Sequence, residues 1–156
     1  MGLGWLASVG AMPSITRTFA TTASPEAAHA YLADFRTAEE WDPGTVTCER
    51  TGGDGGVGTT YRNVSSFLGR RVELTYAATE VDAPRRVHLH GTGPSFEGDD
   101  IFEVSPATGG SKVTYTARME FSGLSRLAAP LVQAYLPLLA SKTIDQLRAC
   151  LDRQAG

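Results

Sequence analysis

The feature that most restricts how this chain can fold is its last thirty residues. From Ser125 to about Arg153, Ala128, Val132, Tyr135, Leu139, Thr143, Leu147 and Cys150 recur at steps of three and four, the spacing of one face of an α-helix. At 1.5 Å per residue such a helix reaches roughly 40 Å, enough to cross a whole sheet. Pro130 and Pro137 fall inside it, and each removes a backbone donor, so a kink or an irregular first part is expected. A helix of this length with one apolar face needs a broad apolar partner.

The preceding residues supply one. Lys112 to Phe121 alternates, with Val113, Tyr115, Ala117, Met119 and Phe121 on one face and Thr114, Thr116, Arg118 and Glu120 on the other, the pattern of a strand wetted on one side. Similar signals run over Ser14 to Thr22, Thr45 to Thr51, Val57 to Phe67, Arg71 to Val81, Arg86 to Gly91 and Phe96 to Val104. After the first strand, Ser24-Pro25-Glu26 reads as N-cap, first helical residue and first-turn acid. That helix should bury Ala27, Ala28, Tyr31 and Leu32. A second short helix should run from Phe35 to Trp41 and stop at Pro43-Gly44.

The chain has 156 residues, suited to one domain. Residues 14–154 form that expected domain, and residues 1–13, which lack periodicity, a disordered or non-native extension, with Met12 an alternative start. The net charge is −3, and the basic clusters are only the pairs Arg70-Arg71 and Arg85-Arg86, so nucleic acid is not an expected partner. Cys48 and Cys150 are far apart and form no zinc-like spacing; such usage suits a reducing cytoplasm. No apolar run approaches the ~18 residues of a membrane span. Oligomeric state is left open.

Two motifs fail their context. Gly53 to Gly58 fits the dinucleotide-binding glycine spacing, but a strand follows where a helix is required. Gly93 to Gly98 resembles a nucleophile elbow with one residue too many and no helix after it.

The order strand, two helices, six strands, long helix, with the Ser24-Pro25 start, Trp41-Asp42-Pro43, the GTTYR strand of Gly58 to Arg62 and the run Gly110 to Tyr115, resembles the SRPBCC (START-like) superfamily, in its polyketide cyclase/dehydrase and lipid-transport branch. The resemblance implies an α+β helix-grip fold. A curved seven-stranded antiparallel sheet would wrap a long C-terminal helix, with two short helices after the first strand. It also implies a cavity between sheet and helix for a small hydrophobic or aromatic, lipid- or polyketide-like ligand. The fold does not dictate a reaction. A carrier or sensor is the expected role, and a cyclase/dehydrase acting by aldol-type closure and dehydration is the alternative. No cofactor or metal is expected.

Within that fold the expected cavity wall is Trp41, Tyr61, Asn63, Tyr76, Phe102, Tyr115, Val132, Tyr135 and Leu139, residues that combine apolar bodies with a few polar tips. An apolar guest the size of a fused-ring aromatic is expected. Asp100 is in phase with Phe102 and Val104. If these face inward, Asp100 does too, with a raised pKa and an acid/base role; a strand-start aspartate bonded to a loop is the plainer reading. His88 and His90 share a strand face about 6.5–7 Å apart. They read as surface or structural residues, as a cavity acid/base in the case of His90, or as part of a zinc site.

Overall fold

The computed structural model describes residues 12–67 and 69–155. The N-terminal extension, up to residue 11, lies outside the described residues. Pro13 already takes part in the sheet, its carbonyl accepting from the Met119 N–H at 2.8 Å.

Strand β1 (Ser14–Thr21) leads into α1 (Pro25–Ala33), a 3₁₀ turn (Phe35–Thr37) and α2 (Ala38–Trp41). Six strands follow: β2 (Thr45–Gly52), β3 (Thr60–Phe67), β4 (Arg70–Asp82), β5 (Arg86–Thr92), β6 (Phe96–Ala107) and β7 (Gly110–Phe121). A second 3₁₀ segment (Gly123–Ala128) enters α3 (Ala129–Asp152). The strands form one sheet in the order β1-β7-β6-β5-β4-β3-β2, and every neighbouring pair is antiparallel. This is the helix-grip fold.

Local chemistry sets the boundaries. The Ser24 hydroxyl accepts from the Ala27 N–H at 3.1 Å, with Pro25 at the helix start, which satisfies an otherwise orphan donor. The expected long helix begins at Ala129 rather than Ser125. Its first part is the 3₁₀ segment, so Pro130 sits in the first turn, where it costs nothing, and Pro137 alone lies inside. At its far end Asp152 accepts from the Thr21 hydroxyl at 2.6 Å and the Thr22 N–H at 3.0 Å, tying α3 to the end of β1.

The concave face of the sheet is filled in two blocks. A larger core joins Phe19, Leu32, Phe35, Trp41, Tyr61, Phe102 and the C-terminal half of α3, including Leu147 and Leu151. A smaller one joins Phe121 to Ala129, Val132 and Leu136. Between the two blocks α3 passes over the sheet without closing on it. Among the described residues no helix is long and apolar enough to cross a membrane.

Candidate functional site

The gap between the two cores is a half-enclosed cavity of about 130 Å³. Phe67 on β3, Leu74 and Tyr76 on β4, and Phe96 and Met119 on β6 and β7 wall it, and Leu136 and Leu139 of α3 roof it. Asp42, Asp100 and Tyr115 are among its polar lining residues, with Ser65 and Ser66.

Gly98 lines the floor, and its partner Gly91 lies beneath the Tyr76 ring. Gly91 and Gly98 face each other across β5 and β6. A Cβ on Gly91 would lie 2.7 Å from the Tyr76 ring, so the missing side chain is what lets that ring lie across β5. Phe35 presses on the ring from elsewhere, centroid to centroid 4.6 Å. A Cβ on Gly98 would approach only the Arg118 carbonyl, at 3.5 Å; the space it would occupy belongs to the cavity.

Asp100 is the polar centre. It accepts a hydrogen bond from the Tyr115 hydroxyl, and the Tyr76 hydroxyl faces the same carboxyl. Burial pushes its pKa from 3.8 up to about 7, against the two tyrosine hydroxyls and with help from the nearby Asp42 charge. Asp42 is itself held above the ordinary carboxylate range by burial, although the Gly44 N–H (2.9 Å) and the Thr45 hydroxyl (2.8 Å) bond to it. Burial and the Asp100 charge raise both tyrosines well above their usual range, so they remain neutral donors. Tyr115 is fixed by stacking on Phe102 at 4.8 Å and by the edge contact of Trp41 at 5.9 Å. A carboxyl poised near neutrality between two held phenols, opening on an apolar space, can exchange protons with a bound molecule and orient its oxygen atoms.

Of the residues expected at the site, Asp100, Tyr76, Tyr115 and Leu139 line the cavity. The others do not. Trp41 and Phe102 are buried behind Tyr115. Tyr61 lies in the main core, its hydroxyl donating to the Ala33 carbonyl at 3.4 Å. Asn63 is buried and engaged with Thr45 and Ser65. Val132 belongs to the smaller core, and Tyr135 is on the outside of α3 against Phe67.

His90 points to the opposite face of the sheet from the cavity. There His88 Nε2 and His90 Nδ1 stand 2.7 and 2.9 Å from Asp99 Oδ1, and Arg118 donates to Oδ2 at 3.3 Å. Burial pushes Asp99 up, but these bonds and the Arg118 charge outweigh it and leave its pKa lowered. No group of three or more histidine, cysteine or acidic residues among the described residues is disposed to hold a metal ion. Asp42, Gly91 and Gly98 were not expected at the site. A glycine within a strand often marks close approach of another group, and both glycines of the facing pair carry that signal; Asp42, in a turn, has no strand phase to reveal it.

A family model described as polyketide cyclase / dehydrase and lipid transport matches residues 12–152. No curated protein sequence matches. Among solved structures, the chain is similar to the Zhui aromatase/cyclase from Streptomyces sp. R1128, with a TM-score of 0.76 and 12% identity over 93% of this chain and 96% of that one. It is similar to the di-domain ARO/CYC StfQ of the steffimycin biosynthetic pathway, with a TM-score of 0.74 and 9% identity over 97% of this chain and 55% of that one. A protein from Thermus thermophilus aligns with a TM-score of 0.69 and 17% identity over 92% of this chain and 96% of that one. At these identities the likeness is one of fold. The chain belongs to the polyketide cyclase / dehydrase and lipid transport family, within the SRPBCC superfamily.

Proposed function

We propose that the cavity takes a small, mostly apolar carbonyl compound of the polyketide kind and that Asp100 catalyses its aldol-type closure and dehydration. The observation that carries this reading is the placement of Asp100: an acid with a pKa of about 7, between two tyrosine hydroxyls, on the polar side of an apolar cavity. A site that only stored an apolar guest would have no use for a carboxyl whose burial disfavours its charged form.

Asp100 as carboxylate removes a proton from a carbon next to a carbonyl group. The electron pair moves onto that carbonyl as an enolate, whose oxygen the Tyr76 hydroxyl meets by turning from Asp100 once the carboxylate has taken the proton. The enolate carbon bonds to a second carbonyl carbon of the same molecule, and the new alkoxide recovers the proton from Asp100. A second removal at the first carbon expels the new hydroxyl, which leaves as water with the Asp100 proton. Holding both reacting carbons in one cavity supplies much of the rate. Burial does most to hold Asp100 near neutrality, and the Asp42 charge adds to it.

The volume favours a second reading for part of the role. An apolar cavity of about 150 Å³ holds a benzene ring, so about 130 Å³ seats a single ring rather than the fused-ring guest first expected. A carrier or sensor of a one-ring molecule fits that size without chemistry. One experiment separates the two. A single-ring aromatic probe is titrated into wild type, Leu139→Trp and Asp100→Asn, and each is assayed on linear poly-β-carbonyl thioesters. Catalysis predicts probe binding in wild type and Asp100→Asn, loss in Leu139→Trp, and turnover in wild type alone. Turnover by Asp100→Asn at the wild-type rate rejects Asp100 as catalyst. Probe binding without turnover in the wild type leaves the carrier.

A further inference from the structure

The cavity corner beside Asp42 is built by a chain of hydrogen bonds that runs in one direction. Thr45 and Ser65 are opposite each other on β2 and β3, and Asn63, 1% exposed, is bonded to both. The Ser65 hydroxyl donates to Asn63 Oδ1 at 2.5 Å. Asn63 Nδ2 donates to the Thr45 hydroxyl oxygen at 3.2 Å. Thr45 then passes its one hydrogen to Asp42 Oδ2 at 2.8 Å, and the Gly44 N–H donates to Oδ1 at 2.9 Å. Asp42 therefore accepts on both oxygens, as a carboxylate does. Its charge bears on Asp100, Tyr76 and Tyr115, which puts the carboxyl beside the polar groups of the cavity.

The chain uses up the hydrogens of this corner. Asp42 and Ser65 both line the cavity. Asp42 carries no hydrogen, and that of Ser65 is committed to Asn63. The Tyr115 hydroxyl is committed to Asp100, and the Tyr76 hydroxyl faces the same carboxyl. Asp100 can hold a proton of its own; the corner of Asp42 and Ser65 offers acceptors alone. A buried acceptor without a donor is costly, and most so when it is charged.

We infer that the guest of this cavity brings the missing donor: a hydroxyl on an unsaturated carbon, as in a phenol or an enol, which gives its hydrogen to Asp42. Such a hydroxyl is more acidic than that of an alcohol, and a carboxylate acceptor strengthens the bond. The ring fits the volume of about 130 Å³ and the walls of Phe67, Tyr76 and Phe96. The inference rests on the reading of the cavity as a site for one-ring carbonyl compounds, and it names the group that such a compound sets against Asp42. Two carbonyl groups separated by one carbon enolise readily, so a poly-β-carbonyl chain carries this group before closure and the aromatic product carries it after.

The test is titration of phenol, toluene and fluorobenzene, three single rings of nearly equal size, into wild type, Asp42→Asn and Asp100→Asn. Wild type should bind phenol roughly tenfold more tightly than the other two, the worth of one hydrogen bond to a charged group. Asp42→Asn should lose that preference and still bind toluene, which shows that the cavity is intact. Asp100→Asn should keep it. Equal binding of the three rings by wild type overturns the inference and leaves the cavity reading standing. So does a phenol preference that survives Asp42→Asn. A preference lost in Asp100→Asn instead overturns it by assigning the hydroxyl to Asp100. Binding of none of the three by wild type overturns the inference together with the reading of a one-ring guest on which it rests.

Discussion

Replacing Asp100 by asparagine should make the protein more stable, and more so the higher the pH. The buried carboxyl has its pKa raised from 3.8 to about 7. Between those values the folded protein holds a proton that the unfolded chain has lost, so wild-type stability falls as pH rises through this window and levels off above it. The full shift corresponds to about 4 kcal/mol. Contact of the carboxyl with the open cavity reduces this, and we expect roughly 2–4 kcal/mol in all. The asparagine amide keeps the shape and cannot ionise. Its stability advantage over wild type should therefore be small near pH 4, grow between pH 4 and 7, and be constant above. Asp42 is present in both proteins, so its own titration largely cancels. Urea unfolding at several pH values measures the difference. With a slope of roughly 2 kcal/mol per molar, the midpoints should separate by about 1–2 M at pH 8. Parallel stability profiles for the two proteins across pH 4–8 would refute the premise that Asp100 is buried as an acid.

Two further outcomes follow from the same geometry. If Asp100 is the base, kcat/KM should fall as pH drops below about 7, because the carboxylate form is needed for the first proton removal; a flat profile from pH 5 to 8 would exclude it. Gly91→Ala should cost about 1–3 kcal/mol in urea unfolding, since its methyl would lie 2.7 Å from a Tyr76 ring that Phe35 also confines. Because Tyr76 lowers the Asp100 pKa, displacing it should also move the pH profile upward, and an unmoved profile would detach Gly91 from the site.

The element order, the Ser24 cap and the facing of β7 were legible because period and capping are local properties of the chain. Asp100 was legible for the same reason: its phase with Phe102 and Val104 fixes its face. Face, however, does not give position along a strand. Tyr61, Asn63 and Phe102 do point inward, but the short helices bring Phe35 and Trp41 down onto that end of the sheet, so only the other end stays open. Period also cannot rank two apolar stripes on one helix. Tyr135 satisfies the helical spacing as well as Leu136 does, yet the helix buries Leu136 and exposes Tyr135. The Asp42 charge reaches Asp100 from a turn, a relation between distant segments that no local pattern encodes.

The facing pair Gly91 and Gly98 has a consequence for how such a protein can diverge. The ladder joining β5 and β6 is made by backbone atoms, and at these two positions it carries no side chains. A Cβ on Gly98 would meet only the Arg118 carbonyl, at an ordinary 3.5 Å, so alanine could appear there by a single substitution. It would shorten the guest that fits and leave the strand pairing as it is. Gly91 offers no such freedom, because Tyr76 already fills its place. One glycine of the pair is thus an adjustable stop that selects among ligands, while the other is bound to the acid it helps to align.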